Sequence, residues 1–172
     1  MTWLITGGAG YIGAHVVEST LASGREVVVL DDLSSGIAAR LSNKAHLVQT
    51  SLQDKAGISR IFEDAEITGV VHLAAKKRVG ESVERPDYYW QENVVGLQNL
   101  LEAVKRHDVP NFVFSSSAAV YGQPDVSNGT LITERTSCSP INPYGATKLE
   151  GEVLSRAAAE ADDMKVVALR YF

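Results

Sequence analysis

The chain predicts an α/β fold, a Rossmann-like, doubly wound parallel sheet of about six strands. Two observations support this prediction. Six short apolar runs rich in β-branched residues alternate with segments of helical periodicity, a pattern typical of parallel strands joined by right-handed helical crossovers. The first run leads directly into a glycine-rich turn at residues 6–13. With 172 residues, the chain is long enough to bury a large core in one domain.

The elements follow in order along the chain. Strands are predicted at residues 2–6, 26–30, 46–49, 69–73, 111–115 and 165–170. A first helix over 11–23 is expected to end at Gly24, and a second, shorter helix covers 54–64. Apolar residues at helical spacing, Leu97, Leu100, Leu101 and Val104, predict a third helix over about 87–107. The fourth helix begins at Asn142 and Pro143, a capping residue and a first-turn proline, and runs to about residue 161. No repeat or linker divides residues 1–172.

Composition narrows the class of function. The net charge of −5 argues against general binding to nucleic acid or to an anionic membrane, since both favour a basic surface. A single cysteine, Cys138, fits a reducing compartment. No apolar run approaches membrane-spanning length, and the glycine turn at residue 7 leaves no room for a signal peptide. We therefore expect a cytoplasmic protein. The four histidines show no metal-ligand spacing, so no metal is expected.

The glycine-rich turn predicts a site for a dinucleotide. Gly7, Gly10 and Gly13 suit a tight turn, a close approach of backbone to phosphate, and close packing of helix on strand. Backbone N–H groups at the helix start then face the phosphate charge. Asp31 ends the next strand, where its carboxylate can accept from ribose hydroxyls and repel a 2′-phosphate. This favours NAD over NADP. The alternative is a strand-to-helix turn with incidental glycines.

A second group of residues predicts acid–base chemistry. Tyr144 and Lys148 are four residues apart near the start of the fourth helix and share one face. A free phenol, with a pKa of about 10, is a poor base at neutral pH, but a neighbouring cation favours the phenolate. The serines at 115–117 end the fifth strand, at the edge where such sheets bind ligands. The alternative for the tyrosine–lysine pair is an exposed pair on a helix.

These residues, with others, resemble the extended short-chain dehydrogenase/reductase family, closest to its sugar-nucleotide 4-epimerase branch. The resemblance covers essentially the whole chain. The matching segments are Thr6-Gly-Gly-Ala-Gly-Tyr-Ile-Gly13, Asp31-Asp-Leu-Ser-Ser-Gly36, Val79-Gly-Glu-Ser82, Asn93, Phe114-Ser-Ser-Ser-Ala-Ala-Val-Tyr-Gly122, Asn142-Pro-Tyr-Gly-Ala-Thr-Lys148 and Leu169-Arg-Tyr-Phe172.

The resemblance implies roles for particular residues. Ser117, Tyr144 and Lys148 match the family's catalytic positions. The implied cofactor is NAD, bound by Gly7, Gly10, Tyr11, Ile12, Gly13, Asp31, Leu52, Lys77, Asn93, Tyr144 and Lys148. The implied reaction interconverts UDP-glucose and UDP-galactose by transient oxidation at C4, so the partner is a UDP-sugar. A homodimer is also implied.

Some positions depart from the family pattern. Ser51 stands where an aspartate usually contacts adenine, and Asp54 is expected to cap the next helix instead. Residues 76–78, Lys-Lys-Arg, are more basic than the usual run. Ala118 and Ala119 replace an acid–base pair found in dehydrating relatives, which disfavours 4,6-dehydration. In the family about as much chain again follows Phe172, so we expect a truncated NAD-binding domain lacking the C-terminal substrate domain. Since the missing half would bind most of the UDP-sugar, we expect little catalysis by the 172-residue chain alone. A non-catalytic NAD-binding module and a sugar-nucleotide 4-keto-reductase remain the alternatives.

Overall fold

The computed structural model describes residues 1–125, 129 and 131–172 of the chain. Its centre is a six-stranded parallel sheet in the order β3-β2-β1-β4-β5-β6, which confirms the predicted fold class. The strands are β1 (Thr2–Thr6), β2 (Glu26–Asp31), β3 (His46–Gln49), β4 (Ile67–His72), β5 (Asn111–Ser117) and β6 (Lys165–Tyr171). The strand order reverses between β1 and β4. In open α/β sheets, ligands bind in the crevice at such a reversal, beyond the carboxyl ends of the strands.

The helices are α1 (Tyr11–Ala22), α2 (Lys55–Asp64), α3 (Val79–Glu84), α4 (Pro86–Trp90), α5 (Gly96–Arg106) and α6 (Pro143–Asp162). A π-helical segment, Gln91–Val95, joins α4 to α5, so the predicted third helix is continuous but locally widened. Helix α3 and two 3₁₀ turns, Ala38–Arg40 and Ala118–Tyr121, were not predicted, because elements this short carry too little periodicity. The sequence also predicts a long loop over residues 123–139, and part of this range lies outside the described residues.

Strand β5 is longer than predicted. The predicted range was 111–115, with the serines at 115–117 placed at the end of the strand. In the structure all three serines pair with β6: Ser115 with Leu169, Ser116 with Arg170 and Ser117 with Tyr171. This pairing extends the strand by two residues and carries Ser117 to the carboxyl edge of the sheet.

Helices α6, α2 and α1 begin or end at the capping residues that the sequence predicts. The Asn142 side chain accepts a hydrogen bond from the backbone N–H of Gly145, and Pro143 occupies the first turn of α6. Asp54 caps α2 by accepting from the N–H of Gly57 at 3.0 Å, as the sequence predicts. Gly24 follows α1 with φ of +80°, a left-handed conformation that suits glycine. These local signals place the helices that border the crevice.

The core lies on both faces of the sheet. On one face Leu4, Val70 and Phe112 are buried with residues of α2, α5 and α6. On the other face Ile5 and Val29 pack against α1. Among the described residues, no helix combines the length and apolar character needed to cross a membrane. Apolar packing therefore covers both faces of the central strands, whereas β6 at the edge of the sheet is largely exposed.

Candidate active site

One cleft of about 250 Å³ opens at the carboxyl edge of the sheet. It contains every predicted site residue except Asn93. Along the cleft lie Gly7, Gly10, Tyr11, Ile12, Gly13, Leu30, Asp31, Asp32, Ser34, Ser35, Gly36, Thr50, Ser51, Leu52, Leu73, Ala74, Ala75, Lys76, Lys77, Glu92, Ser115, Ser116, Ser117, Tyr144, Lys148 and Tyr171. The fold therefore brings together residues separated by more than a hundred positions in sequence.

The glycine turn forms one end of the cleft. Gly7 has φ of +71°, and a Cβ atom there would lie 2.7 Å from the backbone nitrogen of Ala74. A Cβ atom at Gly13 would lie 2.1 Å from the carbonyl oxygen of Gly7. Since both distances are far below van der Waals contact, α1 can approach the strand ends only with glycine at these positions. The spacing of the glycines is a steric requirement.

The start of α1 is open to the cleft. Its cap residue, Gly10, makes no side-chain cap hydrogen bond, and the first-turn N–H groups of any α-helix have no partner within the helix. Among the described residues, no side chain caps the N–H groups of Tyr11, Ile12 and Gly13. Such groups, together with the helix dipole, favour an anion at this position. The turn therefore suits a diphosphate.

Asp31 connects the glycine turn to the loop after β2. One carboxylate oxygen accepts from the N–H of Ala9 and the other from the N–H of Leu33, both at 2.9 Å. A carboxylate can accept about four hydrogen bonds, so these two leave capacity for further donors in the cleft. Asp31 is buried and faces the cleft, where it can accept from hydroxyl groups of a ligand.

The loop after β2 is joined to the loop after β4 by Lys76. Its Nζ donates to Ser34 Oγ at 2.9 Å and lies 3.9 Å from a carboxylate oxygen of Asp32. Burial raises the pKa of Asp32, but hydrogen bonds from Ser34 and the charge of Lys76 outweigh it and lower that pKa overall. The Lys76 ammonium also lies 3.7 Å from Glu92 in the π-helical segment. The sequence marked Lys76 as unusual but did not predict these partners.

Asn93 lies behind the wall of the cleft. Its Oδ1 accepts from the N–H of Lys76 at 2.8 Å, and its Nδ2 donates to the Lys76 carbonyl and to Thr147 Oγ1. These three bonds hold the loop after β4 against α6. The resemblance implies a cofactor contact for Asn93, and its Oδ1 keeps one further acceptor site beside these protein partners. Lys77, by contrast, is exposed and borders the cleft.

The opposite end of the cleft carries the tyrosine, the lysine and the serine. Tyr144 lies in the first turn of α6 and Lys148 one turn later, with the Lys148 Nζ 6.0 Å from the Tyr144 ring centroid. Lys148 is only 4% exposed, and its Nζ donates to the carbonyl of Ser115 at 2.8 Å. Burial lowers the pKa of Lys148 to about 8. Ser117 Oγ accepts from the N–H of Ala119 at 3.2 Å, which leaves its O–H available as a donor.

A buried ionic network supports this end of the cleft. Glu152, on α6, accepts from Arg170 Nε at 2.8 Å and Nη2 at 2.6 Å, and from Ser116 Oγ at 2.5 Å. Arg170 also donates to the Tyr121 hydroxyl at 2.9 Å. Burial raises the pKa of Glu152, but hydrogen bonds from Arg170 and Ser116 outweigh it and lower that pKa overall. The same hydrogen bonds to Glu152 raise the pKa of Arg170 above its ordinary value.

Sequence reasoning missed this network, although a signal was present. Glu152 follows Tyr144 and Lys148 at the same four-residue spacing, so all three belong to one face of the helix. Ser116 neighbours Ser117, and Arg170 neighbours Tyr171, which borders the cleft. The network therefore ties α6 to the ends of β5 and β6 beside the catalytic candidates.

The fold and the cleft together define a Rossmann-type domain with a tyrosine–lysine pair at one end of its crevice. The chain belongs to the NAD dependent epimerase/dehydratase family, whose model matches residues 3–172. It is 44% identical over 172 residues to a UDP-glucose 4-epimerase of Lactobacillus helveticus, covering 100% of this chain and 51% of that protein. The chain thus spans about half the length of the curated relatives it matches.

Comparison with solved structures identifies the same family. The structure of the Thermus thermophilus UDP-glucose 4-epimerase complexed with NAD has a TM-score of 0.95 and 38% identity, over 99% of this chain and 55% of that chain. A UDP-glucose 4-epimerase from Bifidobacterium longum in complex with NAD⁺ and UDP has a TM-score of 0.93 and 35% identity, over 100% of this chain and 53% of that chain. At these identities the likeness extends beyond the fold to the family.

Proposed function

We propose that this chain binds NAD along its cleft. It would form the cofactor-binding half of a nucleotide-sugar 4-epimerase that interconverts UDP-glucose and UDP-galactose. The observation that carries the proposal is the composition of one cleft. It has an open helix start and Asp31 at one end, and Ser117, Tyr144 and Lys148 at the other. An anion site, a hydroxyl acceptor and a proton-transfer group are the parts that this reaction requires.

The cleft fits NAD by shape and by hydrogen-bonding capacity. The glycine turn leaves space that side chains would fill, and the uncapped start of α1 suits the diphosphate. Asp31 has remaining acceptor capacity for the hydroxyls of the adenosine ribose. Leu52 and Ser51 would border the adenine, and Lys148 would donate to the nicotinamide ribose. When bound, NAD would accept hydride from the sugar C4 and return it to either face.

The protein supplies proton transfer and orientation. The Tyr144 phenolate takes the proton of the sugar 4-hydroxyl, and the Ser117 O–H donates to the same oxygen. The Lys148 ammonium lies one helical turn from Tyr144, with its Nζ 6.0 Å from the centre of the ring, and Lys148 is buried. Its positive charge therefore lies beside the group that exchanges the proton. Return of the same proton from Tyr144 completes the acid–base cycle.

The identity of the sugar nucleotide is part of the proposal. Its support is the names of the relatives, which are UDP-glucose 4-epimerases, and the NAD⁺ and UDP bound to the Bifidobacterium longum protein. A homodimer and a cytoplasmic location belong to the proposal as well. Sedimentation velocity at several concentrations of the chain tests the dimer.

Two measurements test the proposed function. In the first, the chain is titrated with NAD by calorimetry, and Asp31→Asn is titrated as a variant with weakened ribose contacts. We expect saturable binding of NAD that Asp31→Asn weakens about tenfold, the loss of roughly one charge-assisted hydrogen bond. Absence of NAD binding by a folded chain, checked by circular dichroism, would overturn the proposal.

The second measurement follows UDP-galactose and UDP-glucose by NMR in the presence of NAD. Interconversion that is lost in Tyr144→Phe supports the epimerase assignment, since phenylalanine keeps the ring and removes the acid–base group. Interconversion that survives in Tyr144→Phe contradicts the assigned role of Tyr144. Binding of NAD without interconversion favours the non-catalytic NAD-binding module.

A further inference from the structure

Lys76 is a charged residue of the cleft that the proposed chemistry does not use. Its ammonium donates to the neutral Ser34 Oγ at 2.9 Å, and its two carboxylate neighbours are more distant, at 3.9 Å for Asp32 and 3.7 Å for Glu92. Its side chain is 22% exposed and borders the cleft. Hydrogen bonds to Ser34 and Tyr88 leave the third donor of this ammonium available to a ligand oxygen.

The residues between Asp31 and Lys76 indicate which group of a ligand could reach the Lys76 ammonium. Asp31 and the residues that follow it form one short loop, in which the N–H of Leu33 bonds the Asp31 carboxylate. Ser34, the partner of Lys76, is the next residue and borders the cleft, as does Ser35. The loop that begins at Asp31 and the neighbouring Lys76 thus bring two hydroxyls and an ammonium to the cleft, the side-chain chemistry that binds phosphate.

The charge balance decides how strongly such a phosphate would bind. Three carboxylates border the cleft, those of Asp31, Asp32 and Glu92, together with two ammonium groups, those of Lys76 and the exposed Lys77. Burial lowers the pKa of Lys76, but a hydrogen bond with Tyr88 and the charges of Asp32 and Glu92 raise it overall, so the lysine is charged at neutral pH. Lys76 offsets part of the negative charge and leaves the preference for NAD in place.

We propose that Lys76, with Ser34, forms a binding position for a 2′-phosphate beside the adenosine ribose, so that NADP is a second, weaker ligand of this cleft. The inference rests on the proposed function, because it takes Asp31 as the ribose contact. Asp31 alone predicts exclusion of NADP. The ammonium held 2.9 Å from Ser34 makes the exclusion partial and turns Lys76 into a residue that sets cofactor specificity.

The experiment compares the dissociation constants of NAD and NADP for the whole chain and four variants. Lys76→Gln removes the charge, and Lys76→Arg keeps it. Lys55→Gln is the matched control, because Lys55 is an exposed lysine paired with Glu102 outside the cleft. Glu92→Gln removes a carboxylate that competes for Lys76. Circular dichroism and thermal melting establish that each variant is folded.

We expect NADP to bind wild type with a dissociation constant about 10- to 100-fold above that of NAD. Lys76→Gln should weaken NADP about tenfold and NAD less than about threefold, whereas Lys76→Arg and Lys55→Gln should leave both near wild type. Glu92→Gln should strengthen NADP, opposite in sign to Lys76→Gln. If Lys76→Gln fails to fold, the inference is tested by the NADP affinities of the other two variants. Lys76→Arg should bind NADP like wild type, and Glu92→Gln should bind it more tightly.

The results that overturn this inference differ from those that overturn the proposed function. Binding of NAD without detectable binding of NADP overturns the inference alone. So does an equal effect of Lys76→Gln on both ligands, or a Glu92→Gln variant with unchanged affinity for NADP. Failure of the folded wild-type chain to bind either dinucleotide overturns the proposed function, and the inference with it.

Discussion

The substitution Lys148→Met should stabilise the fold while removing the cation beside Tyr144. Lys148 is buried, and the only hydrogen bond described for its ammonium is to the carbonyl of Ser115 at 2.8 Å. Burial lowers its pKa from 10.5 to about 8. At neutral pH this difference corresponds to about 3 kcal/mol by which the fold disfavours the ammonium relative to the unfolded chain.

Methionine keeps the length of the side chain and removes the buried charge. Loss of the hydrogen bond to Ser115 costs about 1 kcal/mol, so the net gain in the free energy of unfolding is about 2 kcal/mol. For a domain of this size the melting temperature should rise by about 4–8 °C. Urea unfolding followed by circular dichroism measures the gain directly. Lys55→Met, at an exposed lysine, serves as the control and should change stability little.

The pH dependence of stability provides a second test, because the direction of the change is fixed by the lowered pKa of Lys148. Below pH 8 both the folded and the unfolded chain hold the Lys148 proton, so the full cost is present in wild type. Between about 8 and 10.5 only the unfolded chain holds it, and wild-type stability rises with pH. The advantage of Lys148→Met should therefore be largest at pH 7 and nearly absent at pH 10.5. A variant less stable than wild type at pH 7, or an advantage independent of pH, would refute the reasoning.

Three further predictions concern stability and binding. Glu152→Ala should destabilise the fold by about 3–5 kcal/mol, because it leaves the partly buried Arg170 unpaired, whereas Glu102→Ala on the surface should have little effect; equal effects in urea unfolding would contradict this. Gly13→Ala should abolish NAD binding, since its Cβ would lie 2.1 Å from the Gly7 carbonyl, while Gly80→Ala, with open space around it, should bind normally in calorimetry. Burial lowers the pKa of His72 from 6.5 to about 3, so its contribution to stability is complete above about pH 6.5 and declines as the pH falls toward 3. Urea unfolding at pH 7 and pH 5 should show this decline in wild type and a smaller one in His72→Gln.

Much of the site could be predicted because its chemistry is encoded over short distances in sequence. The glycine spacing and the strand before it suffice to predict the turn, and the steric limit at Gly13 comes from Gly7 within the turn itself. The limit at Gly7 comes from Ala74, on a different strand end, and needed the structure. Asn142, Pro143, Tyr144 and Lys148 lie within two helical turns, so the cap and the shared face follow from helix geometry.

Other features required contacts that no local pattern records. The hydrogen-bond partners of the Asn93 side chain are Lys76 and Thr147, which are 17 and 54 residues away in sequence. The Glu152 partners come from β5 and β6. The extension of β5 through Ser117 depends on pairing with β6, whose residues lie more than fifty positions away in sequence.

The amino-acid sequence by itself determined the α/β class, the family resemblance and the identity of the groups that can do chemistry. Periodicity, caps and glycine spacing act through local sterics and hydrogen bonds, which a sequence displays directly. Only the tertiary structure decided which of those groups share a cleft, that Lys148 is buried and that Lys76 joins Ser34, Asp32 and Glu92. Burial and charge pairing depend on the elements brought together in space, and these set the pKa values and the charge balance of the site.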